Sequence, residues 1–431
     1  MELIEILKSV TDDKDVLVLG YGREGKSSLK RILEAGTYRS LTVSDSRDVS
    51  ADLPAGIECI SGDSYLDCLD DFDVVFKTPG IVLDKDISQY DCEITSEAEI
   101  FMEAYGDRVI GITGTKGKST TSSLMYHVLK EAGLNTVFAG NIGIPVFDIA
   151  EEIGPDTIVV IELSCHQLEY IKTSPHKAVL LNVYEDHLDH YGTREKYGLA
   201  KKNIYRHQKE EDFLYTLTEV IKEWGKAPSK TVYVSREDCP VKNFEDYKEI
   251  KLKGAHNLLN AAFVYDVVKE YGVSDETFIK ALQTFEPLPH RLEYAGNFRG
   301  IDFYDDSIST TVKSAISAVE SVKNATVLLA GGMERGIEYE ELVEYISKSK
   351  LKYLICMYSS GKRIYDMYEG LSKAEDAPKA VLVNDLQEAV SVSFDVAKFG
   401  EAVLLSPAAA SYGYFKNFEE RGDMFKNLIK N

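Results

Sequence analysis

The ten residues Gly-Ile-Thr-Gly-Thr-Lys-Gly-Lys-Ser-Thr, 111–120, constrain this chain more than any other run in it. They follow the β-branched stretch RVIGITG and precede a helical stretch predicted from Ser119 to about Leu129, which Gly133 can terminate. Small consecutive residues let backbone N–H groups curl around a phosphate, and the helix start adds the positive end of its dipole. Lys118 can reach β- and γ-phosphates, and the Ser119 hydroxyl can ligate Mg²⁺. Ile112 stands where the first glycine of G-x-x-x-x-G-K-[ST] belongs, so Gly114 or Gly111 serves instead. A Gly/Ser-rich turn before a helix is the plainer explanation. Strand, loop, Lys-Ser pair and helix in one place favour nucleoside triphosphate chemistry.

Three stretches alternate short β-branched runs with helical periods, the pattern of parallel α/β domains. The first holds DVLVLG, SLTVSD and DVVFKTPG, and the second RVIGITG, TIVVIEL, KAVLLNV and TVYVS. The third holds FYDDS, ATVLLAGG, KYLICMYSS, AVLVND and AVLLSP, after the proline-marked EPLPH. The expected fold class is therefore α/β with domains at 1–95, 96–288 and 289–431, which suits a chain of 431 residues. Hydrophobic residues at 44% exclude a disordered chain, and a net charge of −22 without a basic patch excludes nucleic acid and anionic membrane as partners. The first residues lack a leader pattern and no apolar run approaches the ~20 residues of a membrane span, so a cytoplasmic protein is expected. The six cysteines show no C-x-x-C pair, hence no disulfide framework or zinc ribbon.

A second glycine signature, Gly20-Tyr-Gly22-Arg-Glu-Gly25, follows the first strand, with Asp45 about 20 residues on. It fits a nucleotide or nucleotide-sugar diphosphate at a helix start, and equally a tight strand-to-helix turn. An NAD-dependent dehydrogenase would use such a loop but would leave 111–120 unexplained.

In order, GITGTKGKST, GNIGIP, ELSCHQLE, NVYEDHLDHY, YGLAKKNIY, GAHNLLNAA, LPHRLEY and LLSPAAASYGYFKNFEERG resemble the signature of the Mur ligases, the ATP-dependent amide-forming enzymes of peptidoglycan precursor synthesis. The last motif is most similar to that of the glutamate-adding branch. The resemblance spans nearly the whole chain. It implies a Rossmann-like N-terminal domain for the UDP end of the substrate, a central P-loop ATPase-like domain and a Rossmann-like C-terminal domain for the amino acid. The implied substrates are ATP, UDP-N-acetylmuramoyl-L-alanine and glutamate, with two Mg²⁺ ions and a monomer. The implied reaction phosphorylates the terminal carboxylate, after which the amine of D-glutamate displaces phosphate.

The resemblance also assigns residues. Gly114, Thr115, Lys116, Gly117, Lys118, Ser119 and Thr120 are expected on the ATP phosphates, with Asn260, Arg291 and Asp306 on its base and ribose. His256 and Asn257 fit equally as caps of the helix starting there. Ser119, Glu162 and His187 are expected metal ligands, joined by Lys201 if it is carbamylated. Lys118, Glu162, His187 and Lys201 form the catalytic set, whereas His190 and Lys202 read as surface residues. Gly22, Arg23, Asp45, Ser46, Arg47, Thr78, Asn141, Ser164, Gln167 and His187 are expected along the UDP-sugar, with the Arg47 fork suited to a diphosphate.

Thr310, Arg335, Ser411, Tyr412 and Phe418 are expected on the acceptor. There Ile308 replaces a usual lysine and Arg335 another, and guanidinium and ammonium differ in hydrogen-bond geometry. L-glutamate as acceptor is therefore an alternative within the same reaction. A folylpolyglutamate-synthetase-like ligase would not need the UDP-type loops, and an inactive binding homologue would be expected to lose one of the four catalytic residues.

Overall fold

A computed structural model describes residues 2–252, 254–372 and 374–430. The chain forms two compact units, Met1–Tyr247 with His256–Thr284, and Lys248–Ala255 with Phe285–Asn431.

The first unit carries two parallel sheets. One consists of β1 (Asp15–Leu19), β2 (Ser40–Asp45), β3 (Glu58–Ser61), β4 (Val74–Lys77) and β5 (Glu93–Thr95), in the order β3-β2-β1-β4-β5. Chain order reverses between β1 and β4, so a crevice opens at their carboxyl ends, where open α/β sheets bind ligands. The other consists of β6 (Val109–Thr113), β7 (Thr136–Gly140), β8 (Ile158–Glu162), β9 (Lys177–Leu180), β10 (Phe213–Thr216) and β11 (Lys230–Tyr233), in the order β11-β10-β9-β6-β8-β7. β6 lies between β8 and β9, and the phosphate loop leaves its carboxyl end. The two sheets share one hydrophobic core in which Val18 and Phe76 of the first join Phe147, Val159 and Ile161 of the second. Burial on both faces explains the nearly continuous apolar runs read as strands.

The second unit holds β12 (Glu293–Phe298), β13 (Ile301–Asp305), β14 (Ala325–Ala330), β15 (Tyr353–Met357), β16 (Lys379–Val383) and β17 (Ala402–Leu405), in the order β12-β13-β17-β14-β15-β16. Only β12 runs antiparallel to its neighbour. The α/β class expected from the β-branched runs is the observed one. Among the described residues no helix is long and apolar enough to cross a membrane.

The first glycine loop has a steric reason to exist. Gly20 sits at φ +92°, and a Cβ on Gly25 would overlap the Gly20 carbonyl oxygen, so helix Arg23–Ala35 can start this close to β1 only if Gly25 lacks a side chain. Gly25→Ala is expected to destabilise the first unit by about 3 kcal/mol. The check is a lower urea midpoint at an unchanged m-value.

Candidate active site

The phosphate loop is pinned by the segment that leaves β9. Thr115 N–H donates to the Asn182 carbonyl at 3.1 Å, and Lys116 N–H to Asn182 Oδ1 at 2.9 Å. Asn182 Nδ2 returns a bond to the Lys116 carbonyl at 3.0 Å. Thr115 Oγ1 accepts from Tyr184 N–H at 2.9 Å and from the Tyr197 hydroxyl at 3.1 Å. Gly117 takes φ +89° and ends the loop; a Cβ there would stand 2.7 Å from Asn260 Oδ1, so Asn260, 6% exposed in helix Ala255–Val268, closes one side of it. That helix begins before His256 and Asn257, which lie in its first turn rather than capping it. The phosphate-loop helix runs Lys118–Glu131, one residue earlier than expected, and places Ser119 and Thr120 in its first turn.

Two lysines meet on one oxygen in this loop. Lys118 Nζ donates to the Gly114 carbonyl at 3.0 Å and the Thr115 carbonyl at 3.2 Å, and Lys201 Nζ donates to the same Gly114 carbonyl at 2.9 Å. Lys201 is 1% exposed, with the Tyr197 ring 4.9 Å from its Nζ. The plain alternative of an exposed helical lysine is thereby removed, and neighbouring Lys202 is half-buried rather than a free surface residue. Burial, reinforced by the Lys118 charge, pulls the Lys201 ammonium down to about 7.

Glu162 ends β8 with a side chain that is 1% exposed. Its carboxylate accepts from Asn141 Nδ2 at 2.7 Å and from the Ser122 hydroxyl at 3.3 Å, both neutral groups. A buried carboxylate held by neutral donors beside a phosphate loop fits a hard dication, with Ser119 one turn before Ser122 on the same helix. Asn141, expected along the UDP-sugar, is thus bonded to the expected metal carboxylate. His187 is exposed at φ +53°, with its ring centroid 5.0 Å from that of His166 and 6.0 Å from that of Tyr197. His190 is not a surface residue: its Nε2 lies 3.1 Å from Glu169 Oε2 and its ring 4.5 Å from His166. Burial next to His187 and His190 lowers His166 to about 4.

At the first glycine loop the Arg47 fork, expected on a diphosphate, is turned onto Asp45, with Nε 3.1 Å from Oδ1 and Nη2 3.3 Å from Oδ2. Asp45 likewise is engaged, accepting Tyr21 N–H at 2.8 Å as well as Arg47, and these bonds hold it at about 2 despite burial. Gly22, Arg23 and Ser46 are exposed around the same loop. The Thr78 hydroxyl donates to the Leu19 carbonyl at 2.9 Å. Ser164 and Gln167 form a capping box on the short helix Cys165–Leu168.

In the second unit Asp306 is 4% exposed and spends both oxygens on its own chain, accepting Leu292 N–H at 3.0 Å and the Ser406 hydroxyl at 2.7 Å. Burial pushes it up to about 6. Arg291 lies on the segment so fastened. Arg335 and Tyr412, both expected on the acceptor, come together, the guanidinium carbon lying 5.4 Å from the ring centroid. Ser411 is buried, and Thr310 is half-buried just before Thr311, the cap of helix Val312–Ser321. Phe418 starts helix Phe418–Leu428, and its carbonyl accepts the Ser307 hydroxyl at 2.8 Å. His290, Glu293 and Asp305 bring ligand atoms within 4.8 Å of one another, yet Lys426 Nζ lies 3.1 Å from Glu293 and supplies the positive charge there.

Sequence reasoning passed over Asn182, Tyr197 and Arg421. The Arg421 guanidinium is fully buried and reaches Ser307 Oγ at 3.0 Å, the Ser307 carbonyl at 2.7 Å and the Ala409 carbonyl at 3.0 Å, joining two loops at the carboxyl end of the third sheet. Its only sequence signal is a lone arginine in FEERG.

A family model described as the Mur ligase middle domain matches residues 112–268. The UDP-N-acetylmuramoylalanine–D-glutamate ligase of Clostridium kluyveri is 33% identical over 443 residues, covering 96% of each chain. The enzyme of that name from Clostridium botulinum strain Hall is 32% identical over 451 residues, again covering 96% of each. Among solved structures, the MurF ligase of Thermotoga maritima in complex with ADP superimposes with a TM-score of 0.60 at 18% identity over 99% of both chains. UDP-N-acetylmuramate-alanine ligase MurC of Thermotoga maritima gives 0.56 at 20% identity, covering 97% of this chain and 99% of that one. These similarities extend the fold likeness over essentially the whole chain.

Proposed function

The chain belongs to the Mur ligase family, and from that premise we propose that it is the ATP-dependent ligase that joins D-glutamate to UDP-N-acetylmuramoyl-L-alanine in cytoplasmic peptidoglycan precursor synthesis. The observation that carries the reading is the convergence of Lys118 and Lys201 on the Gly114 carbonyl, in a chain whose relatives bear that activity in their names.

A carboxylate is a poor acyl donor. In the reaction its oxygen attacks the γ-phosphorus of ATP and ADP leaves; the acceptor amine then attacks the acyl carbon, loses a proton, and phosphate departs from the tetrahedral intermediate. The protein's part is positioning and charge. Backbone N–H groups at the start of the helix that begins at Lys118 cradle the phosphates, and Lys118 offsets the charge that builds on the transferring group. Asn260, beside Gly117 at the end of the loop, is placed to hold the nucleotide. Ser119, Glu162 and His187 are the residues suited to two magnesium ions, which when bound supply positive charge to the phosphate oxygens. Lys201, about half uncharged at pH 7, can add to CO₂ through its neutral amine, giving a carbamate and a proton and so placing a further anionic ligand there. Arg335, backed by the Tyr412 ring, offers a bidentate donor to the acceptor's side-chain carboxylate. No observation favours L-glutamate over the D-isomer named for the relatives.

The test is phosphate release from ATP with Mg²⁺ and UDP-N-acetylmuramoyl-L-alanine, comparing D- and L-glutamate. Release with D-glutamate is expected. Release with L-glutamate alone overturns the acceptor assignment, and none with either overturns the ligase reading.

A further inference from the structure

Helix Arg23–Ala35 starts on the first glycine loop, and its first two residues reach the central sheet's loops. Arg23 lies against the turn after β7 so closely that a Cβ on Gly143 would stand 2.6 Å from Arg23 Nη1. Glu24 accepts a 2.7 Å hydrogen bond from Gln167 Nε2, a residue 143 positions away. Gln167 is 5% exposed, and its amide oxygen accepts Ser164 N–H at 2.9 Å and the Ser164 hydroxyl at 3.1 Å. Among the described residues Gln167 Nε2 makes this one bond, leaving its second N–H over, and the residue lines a small cavity with Glu24, Lys77, His166 and Tyr170.

A carboxamide has a donor end and an acceptor end of nearly equal size, so packing alone does not choose between its two orientations. An ionised carboxylate only accepts. With Glu24 on one side and the Ser164 N–H on the other, the flipped amide would set oxygen against oxygen and NH₂ against N–H. We propose that Glu24 is a positioning residue for the nucleotide-sugar substrate, fixing the Gln167 amide so that its remaining N–H is a preset donor to an acceptor oxygen on the sugar-peptide end. This rests on the reading of Gln167 as a contact of that substrate.

The surroundings supply a second property. Burial pushes Glu24 up to about 7, opposed by the Gln167 bond and the Lys77 ammonium. Lys77 is itself lowered to about 8 by burial, with Glu169 and Glu24 pulling the other way. Glu97, on the helix after β5, bonds Phe147 N–H and Ser28 and is also raised by burial, with Glu24 adding to it. His166, lowered to about 4, stays neutral, and Arg23 and Lys26 share the Glu24 helix. On gaining a proton, Glu24 can donate as well as accept, and its hold on the amide orientation is lost. Substrate affinity therefore weakens as pH falls through about 7.

The experiment is calorimetric titration of the full chain with UDP-N-acetylmuramoyl-L-alanine at pH 8 and pH 6, for wild type, Glu24→Ala, Glu24→Gln, Gln167→Ala and the double variant Glu24→Ala/Gln167→Ala. At pH 8, Glu24→Ala and Gln167→Ala should each weaken binding about tenfold, and the double variant should be no weaker than about fifteenfold because both act through one contact. Glu24→Gln, which fills the same space but can pair with either amide end, should lose about threefold and bind equally at both pH values, whereas wild type binds more weakly at pH 6. ATP affinity should be unchanged throughout. Multiplicative losses in the double variant, or full affinity in Glu24→Ala, overturn the positioning role alone. Retention of the wild-type pH dependence in Glu24→Gln does the same, and decides the matter if Glu24→Ala fails to fold. A wild type that does not bind this nucleotide sugar overturns both this inference and the proposed function.

Discussion

Lys118→Ala is expected to lower ligase turnover by roughly 10³-fold while leaving the melting temperature of the protein unchanged. The magnitude follows from where the ammonium sits. It reaches back over its own loop to the Gly114 and Thr115 carbonyls, and in the proposed reaction negative charge gathers on the phosphoryl oxygens at this loop. Removing one preorganised charge aimed at the transferring group costs a large fraction of the transition-state stabilisation, because that charge is fixed in place before reaction. The loop itself does not depend on the lysine: Asn182, Tyr184 and Tyr197 hold Thr115 and Lys116 through bonds that the substitution leaves intact. Lys118→Arg should recover little, since a planar fork cannot occupy a position shaped for a compact ammonium. Steady-state phosphate release beside a thermal melt separates the two effects. Near-normal turnover in Lys118→Ala would show that residues 111–120 do not handle the triphosphate.

The parts of the molecule that could be read from its sequence share a cause. Glycine loops after strands, a Lys-Ser pair at a helix start and runs of β-branched residues each reflect a constraint acting within about a dozen residues, so the residue types alone carry them. The three α/β sheets and the phosphate loop were legible for that reason. Pairings across distant segments were not. Asn182 locks Lys116 across 66 residues, Glu24 finds Gln167 across 143, and Arg421 finds Ser307 across 114, and no local period encodes any of them. Arg47 shows the same limit at short range. Its fork, expected on a diphosphate, also bonds Asp45, which the backbone turn after β2 brings within reach. Asp306, expected on the nucleotide from the family resemblance alone, bonds Leu292 N–H and the Ser406 hydroxyl, pairings that its sequence neighbourhood does not announce.

Lys201→Met should abolish ligase activity yet raise stability at pH 7. The lysine is 1% exposed, and burial lowers its ammonium from the ordinary 10.5 to about 7. Between those values the unfolded chain holds a proton there that the folded chain has lost, so unfolding takes up a proton and stability rises with pH across that window. Below about 7 both states are protonated and this slope vanishes. At pH 7 the burden on the fold is on the order of 4 kcal/mol, which an apolar side chain of similar length does not carry. Denaturant midpoints in CO₂-free buffer from pH 7 to 10 should therefore climb in wild type and stay flatter in Lys201→Met, with the variant ahead at pH 7. A position chosen for stability would not hold a lysine there. The same lowered pKa leaves about half of the amine uncharged at pH 7, the form that reacts with CO₂, so activity should fall in degassed buffer and return with bicarbonate. A variant less stable than wild type at pH 7, or an activity indifferent to bicarbonate in fully degassed buffer, would remove the carbamate from the reaction and leave Lys201 as a neutral donor to the Gly114 carbonyl.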